Sequence, residues 1–178
     1  MSMNELAVIL RHIDRSAFRL ETLNHYAAPG EQGLWQAFRT GEPLPPRTPD
    51  ADPWLRMVAD SVQAGRSWSR VHVLDRPLTE YLQFELLGYH GNTLVGEQVW
   101  IADRGQHQAA LNRLRQDFWL LDEQIALVMH YNTSGTLMRM DRADDPTPFL
   151  AWRDQALAHA VPLGQFLDST RDELPRSW

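Results

Sequence analysis

Apolar positions along this chain recur in runs that switch between a helical and an extended period, and those switches predict the elements. Leu6, Ile9, Leu10 and Ile13 follow three- and four-residue steps, which predicts a helix close to Met1. Residues 16–23 then alternate, with Phe18 and Leu20 facing one way and Arg19 and Glu21 the other, as a strand does. Leu34, Trp35 and Phe38 share one face of a short helix over 31–39. Pro43, Pro45, Pro46 and Pro49 bar helix and central strand alike, so 41–52 is expected to cross the surface in extended form. Pro53 opens a helix to about Ala64, with Trp54, Leu55, Val58 and Val62 inward and Gly65 as its stop.

Residues 66–75 alternate with apolar residues on both sides, the pattern of a central strand covered by helices. Thr79 caps the next helix, which carries Leu82, Leu86 and Tyr89 on one side and Tyr81 and Glu85 on another; Gly88, Gly91 and Gly96 are expected to loosen its end. A strand over 97–102 completes a βαβ unit if the two strands run parallel. A short polar helix over 106–115 follows. Strands over 117–121, 124–131 and 136–142, joined by turns at Asp122-Glu123 and at 132–135, form an antiparallel meander. Phe149, Trp152, Ala156 and Ala160 mark a helix that Pro162 ends, and a last helix spans 163–170. The polar stretch 171–178 is expected to be a disordered tail.

The sum is one mixed α/β (α+β) domain over 1–170, with a mixed sheet that includes a C-terminal antiparallel meander and is flanked by helices. A chain of 178 residues that is 43% apolar can close one core, and two would both be undersized.

Composition removes several kinds of chemistry. Without cysteine there is no disulfide scaffold, thiolate nucleophile or sulfur-ligated metal. Every one of the 17 basic residues is Arg, so Schiff-base chemistry and a phosphate-gripping lysine are absent too. The formal net charge of -6, with no dense Arg cluster, argues against direct nucleic-acid binding. No segment has the continuous apolar length of a membrane span, and the start of the chain lacks a signal-like pattern, so a cytoplasmic protein is expected. Phosphate-loop, dinucleotide, His-Glu-x-x-His, Gly-x-Ser-x-Gly and calcium-loop motifs do not occur.

The seven histidines show no ligand spacing. His130 with Asp117 or Asp122 on neighbouring strands is a conceivable metal pair, but nothing selects it over a histidine satisfied within a sheet, so no metal and no cofactor are expected. His72 and His130 are general-base candidates that lack an identifiable partner. Tyr81, Glu85 and Tyr89 stand at four-residue steps, placing a carboxylate between two phenols, a patch suited to an amine or a base; the structural alternative is a helix packed on a sheet with Glu85 paired to an Arg, for which Arg19 is at hand. The seven tryptophans lack the positive groove that single-stranded nucleic acid requires, which makes them core or interface residues.

The whole chain resembles an uncharacterised actinobacterial family, DUF6879, classed as a domain of unknown function. The likeness rests on Ser16-Ala17-Phe18-Arg19-Leu20-Glu21-Thr22, on Pro77-Leu78-Thr79-Glu80-Tyr81 with Phe84-Glu85-Leu86, on Asp117-Phe118-Trp119-Leu120-Leu121-Asp122 with His130-Tyr131, and on Trp152-Arg153, Ala156 and Pro162-Leu163. Its members are often encoded beside helix-turn-helix regulators, and the resemblance therefore implies an accessory role toward such a regulator. A more distant likeness is to phospholipase-D-like domains, whose catalytic His-x-Lys pair this lysine-free chain cannot supply.

These readings lead to a non-catalytic regulatory protein that binds a protein partner, such as a helix-turn-helix regulator, or a small ligand, through Arg19, Glu21, Tyr81, Glu85, Trp119, Asp122 and His130. A homodimer is a further option. The alternatives are an enzyme using His130, Asp122 and Glu85 as acid and base, and a toxin or immunity component.

Overall fold

A computed structural model describes residues 1–174. In chain order its elements are α1 (Met3–Arg11), β1 (Ser16–Glu21), α2 (Gln32–Thr40), α3 (Pro53–Gln63), β2 (Ser67–Leu74), α4 (Glu80–Leu94), β3 (Gln98–Asp103), α5 (Gln108–Leu111), β4 (Asp117–Leu121), β5 (Ile125–Tyr131), β6 (Leu137–Arg142), α6 (Thr147–Ala158), β7 (Val161–Pro162) and α7 (Leu163–Ser169). The strands make one seven-stranded sheet in the order β6-β5-β4-β1-β2-β3-β7. β1, β2 and β3 run parallel to one another, and the remaining pairs are antiparallel. The mixed α/β class, the parallel β2-α4-β3 unit and the β4-β5-β6 meander are those that the alternation predicts.

The strand period of two gives the sheet two unlike faces. On the first, Phe18, Leu20, Val71, Val73, Phe118 and Leu120 meet Leu111 of α5 and Phe149 and Ala156 of α6. Phe118 packs edge-on to Phe149 at 5.0 Å between ring centres. The second face takes α1 and α3 over Ala17, Trp68, Trp119 and Leu127. Further along the same face, α4 and α7 cover Leu74, Val99 and Ile101. Trp54, Trp68 and Trp119 cluster there, and the indole N–H of Trp68 donates to Ser61 at 2.8 Å.

Helix starts follow local chemistry. Ser2 and Glu5 close a capping box on α1, Asp52 accepts from the N–H groups of Trp54 and Leu55 ahead of Pro53, and Thr79 accepts from Leu82 N–H.

Several expectations need correction. Gly88 and Gly91 do not loosen α4, which continues to Leu94; they let Arg47 of the extended crossing lie against the helix, since a methyl group on Gly91 would stand 3.1 Å from Arg47 Cβ. Only Gly96, at φ +95°, acts as a stop. The helix expected over 106–115 shortens to Gln108–Leu111, because Arg104 draws the carbonyls of Leu111 and Leu114 onto its guanidinium. Val161 and Pro162 add a two-residue edge strand on β3 ahead of α7. Beyond Thr170, Arg171–Glu173 forms a turn of 3-10 helix, Glu173 pairs with Arg76, and its carbonyl accepts from Gln83 at 3.0 Å. The rest of the expected tail, 175–178, lies outside the described residues.

Candidate functional site

Near the carboxyl ends of β1 and β2 the second face ceases to be apolar. β1 presents Arg19 and Glu21 there, β2 presents Arg70 and His72, β4 presents Asp117, and α4 brings Glu85 and Tyr89 down onto them. Arg19, Glu21, Arg70, His72, Glu97 and Asp117 are all buried, although their residue types are among those that water holds most strongly. Strand register enforces the meeting, because Arg19 pairs with Arg70 and Glu21 with His72 across the parallel ladder, and partners of this kind share a face.

Each guanidinium has a carboxylate of its own. Arg19 Nη2 donates to Asp117 Oδ2 at 2.9 Å and to Tyr131 Oη at 3.1 Å, and its guanidinium lies 5.5 Å from the centre of the Trp119 ring. Asp117 is then saturated by the Thr22 hydroxyl at 2.7 Å, Thr22 N–H at 2.9 Å and the Tyr26 hydroxyl at 2.7 Å. Arg70 Nε donates to Glu97 Oε1 at 2.6 Å, and Asn92 Nδ2 donates to the other oxygen at 2.6 Å. Arg70 Nη1 also reaches Glu21 Oε2 at 3.1 Å, and Arg19 Nε lies 3.6 Å from Glu21 Oε1. Burial works against a charge on Glu21, but Arg70 and Arg19 outweigh it and hold its pKa down to about 2.

Glu85 is the exception. Its Oε2 is buried and has no hydrogen-bond partner among the described residues. The Arg partner expected for Glu85 is not there; its polar neighbours are His72 Nδ1, at 3.5 Å, and the Tyr89 hydroxyl. Burial, and then the neighbouring charge of Glu21, push the Glu85 carboxyl well above the ordinary carboxylate range. The imidazole of His72 is itself fixed: Leu23 O, which can only accept, lies 2.8 Å from Nε2, so that nitrogen carries the hydrogen. Burial pushes the pKa of His72 down, and the neutral ring then turns the lone pair of Nδ1 toward Tyr89 Oη at 2.9 Å. The Tyr89 hydroxyl also stands 2.7 Å from Glu21 Oε2, and its single hydrogen cannot serve both neighbours.

The cluster is roofed rather than open. Tyr26 and Tyr81 cross above it at 6.4 Å between ring centres, and α2 lies on Tyr81 and Phe84 through Trp35 and Phe38. No residue of α2 is buried, so this roof is held by partial contacts alone. Two open depressions, of about 540 and 340 Å³, lie elsewhere on the surface and touch the network only at Glu97.

Of the seven residues singled out in the sequence, Arg19, Glu21, Glu85 and Trp119 come together here, and Tyr81 forms part of the roof, with its hydroxyl 3.4 Å from Glu31 Oε2. Asp122 and His130 do not join them. Asp122 sits in the β4-β5 turn at φ +53° and accepts from the backbone N–H groups of Asp14, Arg15 and Ser16 at 2.9, 2.7 and 2.8 Å. It therefore ties down the start of β1, roughly 16 Å of strand away from Glu21. His130 alternates onto the other face from Met129 and Tyr131 and pairs with Asp141 on β6 at 3.0 Å. Arg70, Tyr89, Asn92, Glu97 and Asp117 complete the cluster without having been chosen as site residues. A signal for two of the cluster's members was available, since Arg70 and His72 are ionisable residues inside a strand that otherwise reads as buried on both faces.

A family model described as "Domain of unknown function (DUF6879)" matches residues 4–168. The chain belongs to that family. No curated protein matches it. Among the described residues, no helix is long and apolar enough to cross a membrane.

Proposed function

We propose that this is a non-catalytic regulatory protein that takes up a small cationic ligand at Glu85, beneath the roof of Tyr26, Tyr81 and α2. The observation that carries this reading is the buried, unpartnered oxygen of Glu85. A buried carboxyl oxygen without a hydrogen-bond partner costs about 1–3 kcal/mol, and a cation that binds there gains the interaction the fold leaves unmade. Access runs past α2, whose contacts are the most easily given up. Displacing α2 changes how Trp35 and Phe38 are presented, and a partner protein reads that change. In line with the sequence resemblance, we take that partner to be a helix-turn-helix regulator in an actinobacterial cytoplasm, and any phospholipase-D-like likeness to be one of architecture only.

The enzymatic alternative built on His130, Asp122 and Glu85 has less support, since Asp122 is spent on three backbone donors and His130 on Asp141. Thermal melting of the purified protein with ammonium, methylamine, agmatine and divalent chlorides tests the reading. At least one of these raises the melting temperature of the wild type and leaves that of Glu85→Gln unchanged. If none does, or if the variant responds equally, the proposal fails.

A further inference from the structure

Three groups with metal-ligand chemistry meet under α4: one ligand atom from each of Glu21, His72 and Glu85 falls within 4.8 Å of the others. Resting on the reading of Glu85 as a cation acceptor, we infer that the ligand is a single divalent transition-metal ion of the zinc or manganese class, held by Glu21, His72 and Glu85. Three features of the geometry carry this.

Charge comes first. Arg19 is matched by Asp117 and Arg70 by Glu97 at 2.9 and 2.6 Å, which leaves Glu21, shared by both guanidiniums, as the one carboxylate in excess, with the carboxyl of Glu85 beside it. A dication balances both groups once they are ionised, since acidic ligands give up their protons when a metal binds. Hydrogen counting comes second. His72 Nδ1, Glu21 Oε2, Glu85 Oε2 and Tyr89 Oη converge, yet Tyr89 has one hydrogen and Arg70 Nη1 supplies Glu21 only. Four atoms able to act as ligands thus meet at one point, and a metal ion is a group that several of them can share. The outer partners come third. A metal-bound histidine is normally oriented by donating its other N–H to a carbonyl or carboxylate, and His72 Nε2 is already committed to Leu23 O in that way. Glu21 is steadied likewise by Arg70 and Arg19.

The donor set selects the ion. Two carboxylate oxygens and an imidazole nitrogen suit zinc or manganese, with bonds of about 2.0–2.2 Å for zinc, whereas calcium and magnesium prefer all-oxygen shells with retained waters. Small side-chain rotations of Glu21 and Glu85 bring three atoms that already lie within 4.8 Å of one another to a common centre. The Tyr89 phenol, adjacent to two of the ligands, is placed to orient them or to complete the shell.

The test is isothermal titration of chelator-treated, full-length protein with zinc, manganese, magnesium and calcium chlorides, with cobalt(II) absorption as a second readout. One equivalent of zinc or manganese binds, cobalt gives visible bands of a protein-bound site, and Glu85→Gln weakens binding by more than about 100-fold, beyond what an outer partner contributes. The exposed His107 and the half-buried His159, whose rings lie 4.9 Å apart, are the rival surface site, so H107A/H159A retains the binding. The inference is overturned if neither zinc nor manganese binds at millimolar concentration, if only magnesium or calcium binds, if Glu85→Gln binds as the wild type does, or if H107A/H159A abolishes binding. Should metals fail while an amine still raises the melting temperature through Glu85, the broader reading stands without this inference. Should both fail, neither survives.

Discussion

The two faces of the sheet are made from alternate residues of the same strands, yet they solve different problems. Phe18 and Leu20 look toward α6 and meet only carbon, so that face gains stability from area removed from water. Arg19 and Glu21, their immediate neighbours, look toward α4 and meet charge. An apolar filling of the second face would be as stable or more so, because replacing buried ion pairs by well-packed apolar side chains is often neutral or favourable. What the polar face gains is a set of fixed charges with one carboxyl left over, and that remainder is where function is assigned.

The polar face is most sensitive at Arg70, which pairs with both Glu21 and Glu97. Arg70→Met strands Glu21 and Glu97 in the interior, and a loss of about 3–5 kcal/mol in urea unfolding is expected. Adding Glu97→Gln in the same chain returns part of that loss, with a coupling of at least about 1 kcal/mol. On the apolar face Phe118→Ala, at a fully buried position, costs about 3–5 kcal/mol through a cavity, and no second-site charge change relieves it. The contrast between a loss that a charge change repairs and one that it does not is what separates the faces.

A smaller effect sharpens the role of Asp122. Burial nudges its pKa up, but the backbone N–H groups of Asp14, Ser16 and Arg15 outweigh this and lower it. A carboxylate whose folded-state pKa is depressed adds stability above its ordinary range, near pH 4, and that stability is lost as pH falls through the folded-state value. Asp122→Asn, which tolerates the left-handed backbone, is therefore expected to lose about 1–2 kcal/mol at pH 7 and to converge on the wild type in acid denaturation below pH 4.

Much of the fold was legible because its signals are local. The meander declares itself through three contiguous alternating runs and two turns, and α4 through Thr79 and its apolar spacing. The joining of β1 to both β2 and β4 was not legible, since strand order depends on contacts far apart in sequence. β7, two residues ending in Pro162, is too short to carry a period. The site was half legible for a related reason. Arg19 and Glu21 read correctly as one side of a strand, and Glu85 as the odd carboxylate of its helix, but a polar stripe on a strand ordinarily faces water. Only the packing of α4 over β2 turns it inward and adds Arg70 and His72. Asp122 and His130 stood beside the right elements in sequence but at the wrong end and on the wrong face in space.

Glu85 is proposed to be held for a ligand rather than for the fold, and urea unfolding of chelator-treated Glu85→Gln beside the wild type at pH 7 separates the two roles. Because burial already favours the uncharged carboxyl, its neutral isostere is expected to change stability by less than about 1 kcal/mol. A loss comparable with that of Arg70→Met would contradict it and make Glu85 one more structural member of the network.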